Sequence, residues 1–136
     1  MSAAEPLFLT RDIIDRLHQK SLQLFGGLEG VRDDGMVESS MASAENAWFY
    51  GDGGLFEIAA AYAFHLSQAQ AFFDGNKRTA VAAAYVFLEG NGVRVSQEHD
   101  LSIYDALIAI AERRMTKPEL AELFRTLFGE GSNDGS

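Results

Sequence analysis

Apolar residues recur at helical spacing along most of the chain, and the breaks between them carry good stop and start signals. Ile13, Ile14, Leu17, Leu24 and Phe25 keep roughly one face behind Thr10, a capping residue, and Gly26-Gly27 end the run. Met36, Val37, Met41, Ala44 and Trp48 predict a second helix, broken by the YGDGG stretch that starts at Tyr50. Phe56 to about Ala69 is apolar over much of its circumference, which predicts a central helix. A fourth runs from about Lys77 to Glu89, where Ala80, Ala82, Ala83 and Ala84 allow a neighbour to approach closely. Val93–Val95 reads as a short extended piece. Asp100 is placed to cap a fifth helix with Leu101, Tyr104, Leu107 and Ile108 inward. Thr116 and Glu119 form a capping box for the last, with Pro118 in its first turn and Leu120, Leu123, Phe124 and Leu127 as the buried stripe. The pattern predicts an all-α fold: a compact single-domain bundle of about six helices over residues 1–128. The tail GEGSNDGS, 129–136, reads as disordered.

Composition narrows the function classes. A chain of 136 residues with 47% apolar content fits one globular domain. Its longest apolar run, Ala80–Leu88, is far short of the roughly 20 residues of a membrane span. The opening MSAAEPLFLTRD has no basic segment before its apolar patch, so a secretory signal is not expected. The absence of cysteine removes disulfides, thiolate metal sites and a Cys nucleophile, and fits a cytoplasmic location. A formal net charge of −9 argues against binding nucleic acid directly.

Against that acidic background one stretch stands out, the AQAFFDGNKRTA of residues 69–80. No Lys or Arg occurs between Arg32 and Lys77, and two adjacent cations then sit at the head of the alanine-rich helix. A helix N-terminus presents free N–H groups and favours negative charge. Gly75 permits close approach, Asn76 supplies an amide, Lys77 a point charge and Arg78 a planar fork for phosphate oxygens. Asp74 beside an anion makes sense if it holds a cation, for which Mg²⁺ is the natural candidate. Phe72 and Phe73 are placed to anchor the loop. The plainer reading is a DGN turn followed by a solvated pair of cations, and both readings stand on these residues alone.

The stretch resembles the signature of the Fic/Doc family, H-x-F-x-(D/E)-G-N, followed in its Doc-like branch by K-R-T. Phe72, Asp74, Gly75, Asn76, Lys77, Arg78 and Thr79 fall in register. The likeness extends through LFGGLEGVRDDG, LFEIAAAYAFH and VFLEGNGV, and covers nearly the whole chain. It implies a small helical domain that takes a nucleoside triphosphate. Fic members transfer AMP to a protein hydroxyl, whereas Doc-like members transfer the γ-phosphate of ATP to elongation factor Tu. Lys77 and Val81 favour the Doc side, because adenylyl-transferring members usually carry Gly and a second Arg there. The resemblance further implies Asp74 as the Mg²⁺ ligand and Gly75, Asn76, Lys77 and Arg78 as the phosphate cradle. It also implies an antitoxin partner with a segment that folds on binding.

The family's general-base His falls on Gln70, and an amide has no titratable nitrogen near neutral pH. A near-inactive transferase with an intact phosphate pocket is the expectation, with AMP transfer and a non-enzymatic binding module as alternatives. Two histories give this sequence, a replaced histidine in an otherwise complete motif and a naturally degenerate member. His65 faces away from Gln70 around the helix and reads as a hydrogen-bonded histidine in or near the core. His18 and His99 read as surface residues. Thr126, Glu130 and Gly131 match the family's loose inhibitory-helix pattern at the C-terminus.

Overall fold

The computed structural model describes residues 4–51 and 53–129. Its centre is helix α3 (Leu55–Ala69), which packs against α2 (Asp34–Phe49), α4 (Asn76–Gly90) and α6 (Lys117–Phe128). Helix α1 (Arg11–Phe25) lies on α4, and α5 (Asp100–Ala111) closes the bundle beside α3 and α4. The fold is all-α, as predicted, with six α-helices among the described residues. No helix there is long and apolar enough to cross a membrane.

The reason for α3's position is its surface. Ile58 to Ala63 and Leu66 are all buried, so no solvent face interrupts the middle of the helix. Small residues at Ala59, Ala60, Ala63, Ala80, Ala83 and Ala84 let α3 and α4 pack closely, and Tyr62 and Phe87 fill the space beyond them with ring centroids 5.4 Å apart. Burying a side chain of that size stabilises the fold by about 2–3 kcal/mol.

The helix boundaries follow their caps. Thr10 Oγ1 accepts from the Ile13 N–H at 3.2 Å, and Thr116 and Glu119 make the reciprocal box. The α2 cap is Asp33, whose carboxylate takes the Met36 N–H at 3.1 Å.

Several expectations fail for identifiable reasons. Leu24 and Phe25 are exposed, because the buried stripe of α1 runs Ile14, His18, Ser21 and turns toward the Asp74 loop rather than the core. Helix α5 buries Ile103, Ala106, Leu107 and Ile110, leaving Leu101 and Ile108 exposed. Its sequence is apolar nearly all round, so two stripes were equally legible. Asp100 does not cap α5. A 3-10 turn over 97–99, capped by Ser96, precedes that helix, and Asp100 Oδ1 accepts from the Tyr85 hydroxyl at 2.5 Å. Val93–Val95, expected as a short extended piece, makes no β-pairing among the described residues; the Val93 N–H closes α4 on Leu88 O at 2.9 Å, and Val93 and Val95 pack on the core. The one β-type pairing among the described residues is an antiparallel bridge between Val31 and Phe72. Glu130 and Gly131, and with them most of the tail at 130–136, lie outside the described residues.

Candidate phosphate site at the head of helix α4

Helix α3 ends at Gln70, whose backbone is left-handed at φ 50°, ψ 46°. A non-glycine residue in that conformation needs support from its surroundings. Arg32 supplies it: one guanidinium nitrogen donates to the Gln70 carbonyl at 2.7 Å. The next carbonyl, on Ala71, accepts from the Arg32 N–H at 2.7 Å and the Asp33 N–H at 3.1 Å. The loop before α2 and the loop before α4 are thereby tied side by side.

From there the chain turns over a buried Phe72. The Asn76 side chain reaches back to that residue, accepting from the Phe72 N–H at 3.0 Å and donating to the Phe72 carbonyl at 2.9 Å. Its amide is thus committed to the turn, and what Asn76 offers a ligand is its backbone N–H. Asp74 Oδ2 accepts from the Leu28 N–H at 2.7 Å, fixing the carboxylate against the Gly27-Leu28 loop. Phe73 is exposed, its ring lying against Gly30.

Gly75 is the N-cap of α4, at φ 80°, with no side chain capping the helix. The first backbone bond of the helix goes from Thr79 N–H to Gly75 O at 2.9 Å, which leaves the amides of Asn76, Lys77 and Arg78 at the open end. Every other α-helix here carries an acid in its first turn, while α4 carries none and begins with two cations. Cations at a helix N-terminus oppose the dipole and cost a few tenths of a kcal/mol each. No carboxylate pairs with Lys77 or Arg78 among the described residues; the Arg78 guanidinium stacks 3.8 Å over the Phe25 ring instead. That stacking is the role of Phe25, in place of the core contact expected of it.

These groups open on one cleft of about 610 Å³, whose lining includes Ser21, Gln70, Asp74, Gly75, Lys77 and Arg78. The Gln70 side chain is exposed there and makes no hydrogen bond among the described residues. His65 is elsewhere: its Nε2 accepts from Lys117 Nζ of α6 at 3.0 Å, and burial together with that ammonium pushes its pKa down to about 4. His99 stands half-buried with its ring edge on Phe128.

His18 is the residue that sequence reasoning misplaced. It is 4% exposed, its ring stacks on Phe72 at 3.9 Å, and its Nε2 lies 2.8 Å from the Asp74 carbonyl. One turn further on, Ser21 is buried beside Gly75 and its hydroxyl has no partner. The available signal was the stripe Ile14, His18, Ser21, which placed polar residues on the inward side of an amphipathic helix. Thr79 Oγ1 is also buried without a partner, for which the structure offers no explanation.

The head of α4 thus presents free backbone N–H groups and two cations to the cleft beside the Asp74 carboxylate, an arrangement that favours negative charge. The chain belongs to the Fic/DOC family, whose model matches residues 8–88, and it is a Doc-like member. It is 32% identical over 114 residues to the "Protein kinase doc" of Escherichia phage P1, across 83% of this chain and 89% of that protein. It is 41% identical over 80 residues to the "Toxin Doc" of Mycolicibacterium smegmatis, across 57% of this chain and 61% of that protein.

Proposed function

We propose that this chain is a Doc-like toxin that binds ATP with Mg²⁺ at the head of α4 and whose parent activity is transfer of the γ-phosphate to a protein hydroxyl. The observation that carries the reading is the unpaired Lys77–Arg78 head of α4, opposite the dipole rule and open to the cleft. The names of the two relatives, a protein kinase and a toxin, support the same direction.

In this reading the amides of residues 75–78 and the Lys77 and Arg78 side chains hold the phosphates. Asp74 would hold the Mg²⁺ through Oδ1, since Oδ2 already accepts from the Leu28 N–H. The metal would neutralise charge on the transferred group. Transfer would break the bond between the γ-phosphorus and the β,γ-bridging oxygen, form a phosphorus–oxygen bond to the target hydroxyl, and leave ADP and a proton. Accepting that proton is the step that Gln70 cannot perform. The protein target implied by the resemblance is elongation factor Tu, and the implied partner is an antitoxin with a segment that folds on binding. Both act in the cytoplasm.

The exposed, unbonded Gln70 also suits a second reading, a nucleotide-binding module without chemistry. Incubating this chain and Gln70→His with γ-labelled and α-labelled ATP, with elongation factor Tu and with lysate, separates the readings. The expected result is γ-label on protein with the His form and little or none with this chain. Transfer of α-label would assign AMP transfer, and ATP binding without transfer by either form would leave the binding module.

A further inference from the structure

We propose that His18 is a positioning residue, which from α1 sets the direction of the Asp74–Gly75 peptide and so aims the Gly75 N–H into the cleft. The proposal rests on the phosphate reading of that cleft.

A carbonyl only accepts, so the 2.8 Å contact between His18 Nε2 and the Asp74 oxygen requires the proton on Nε2. The ring cannot turn away from this bond. It is almost fully buried and lies 15° from parallel with Phe72, which the Asn76 side chain in turn clamps. In a trans peptide the C=O and N–H point in opposite directions, and no cis peptide occurs among the described residues. Holding the Asp74 carbonyl toward α1 therefore points the Gly75 N–H away from α1, and no protein group accepts it among the described residues.

The direction needs holding because glycine reaches both turn conformations at little cost. A reversed Asp74–Gly75 peptide would place a carbonyl oxygen where the phosphates bind and remove one of the amide donors. Ser21 adds an independent sign that α1 serves the site. It is 7% exposed, its hydroxyl lacks any partner, and a Cβ at Gly75 would stand 3.3 Å from that oxygen. The floor of the cleft is thus polar and comes from a helix outside the motif.

The test compares this chain with His18→Phe, which keeps the stack and loses the donor, and with His18→Gln, which restores one. Residual dipolar couplings report the Gly75 N–H direction, and calorimetry with tripolyphosphate and with Mg²⁺-ATP reports affinity. The expected result is a changed or averaged Gly75 N–H vector in His18→Phe, about a 10-fold loss of affinity, and recovery of both in His18→Gln. A buried histidine that served stability alone would lower Tm and leave the vector and the affinity unchanged, and that result overturns the proposal. If His18→Phe does not fold, the tautomer of His18 in the unmodified chain decides, since a proton on Nδ1 alone rules the donor out. Should the unmodified chain bind neither polyphosphate, the proposed function falls, while the Gly75 vector still decides whether His18 orients the peptide.

Discussion

Arg32 holds the carbonyl of Gln70 at 2.7 Å, so the backbone of residue 70, the proposed general-base position, is set from the loop before α2. The bond is to the backbone, so it does not depend on which side chain Gln70 carries. Gln70→His should therefore meet a preformed site. The expected gain in protein phosphorylation is about 10²–10⁴-fold, the usual worth of a general base. Quantifying initial rates with γ-labelled ATP checks it. Adding Arg32→Ala to the His form should lose much of that gain, because the left-handed residue 70 then lacks its tie; equal rates with and without Arg32 would refute the link.

The reciprocal bonds between Asn76 and the Phe72 backbone predict a stability effect rather than a direct binding one. Asn76→Ala removes both bonds and leaves a half-buried N–H and C=O unpaired, at a cost of about 2 kcal/mol. Urea unfolding at neutral pH measures this. A cost near zero would mean that water replaces the amide.

Much of the fold was legible because caps and periodicity are local. Thr10 and the Thr116–Glu119 box announce α1 and α6, and the apolar circumference of α3 announces a central helix. What could not be read was which of two stripes α5 would bury, since that is decided by the partner surfaces of α3 and α4. The motif fixed which loop to watch, yet not what supports it. Arg32, His18 and Ser21 reach the loop from 38 to 56 positions away or across a helix packing, and no local pattern links them to Asp74. Asn76 shows the same gap in reverse: the motif suggested a ligand donor, and the geometry commits its amide to Phe72.

At Gly75 two constraints coincide, a φ of 80° and a would-be Cβ contact of 3.3 Å with the Ser21 hydroxyl. Gly75→Ala should cost about 1–2 kcal/mol from backbone strain and weaken tripolyphosphate binding by displacing the turn. Pairing it with Ser21→Gly relieves the contact but not the dihedral strain. If the double variant recovers full stability, strain at φ 80° is not the main term.

His65 predicts a pH dependence. Its folded pKa is pushed down to about 4, first by burial and then by Lys117, whereas an unfolded histidine titrates near 6.5. Between those values the unfolded chain binds a proton that the folded chain refuses. Stability is therefore highest above about pH 6.5 and falls as pH drops toward 4. The contribution is at most about 3 kcal/mol, lessened by solvent screening of a half-exposed pair. Denaturation of this chain and His65→Gln at pH 7 and pH 5 should show a shallower loss in the variant, and parallel losses would exclude His65 as a source.

The cations that begin α4 set stability against binding. Lys77 is exposed, unpaired and on the wrong end of a helix dipole, so replacing it with Glu should stabilise the free protein by about 0.5–1 kcal/mol. A residue kept only for folding would gain from that exchange. Bound polyphosphate reverses the balance, because a ligand that binds the folded state alone raises Tm with its concentration. The unmodified chain should thus melt below Lys77→Glu in buffer and above it with millimolar tripolyphosphate. A crossing of the two melting temperatures would identify Lys77 as a site residue. Curves that keep the same order at every concentration would return it to the solvated surface pair that the sequence alone also allowed.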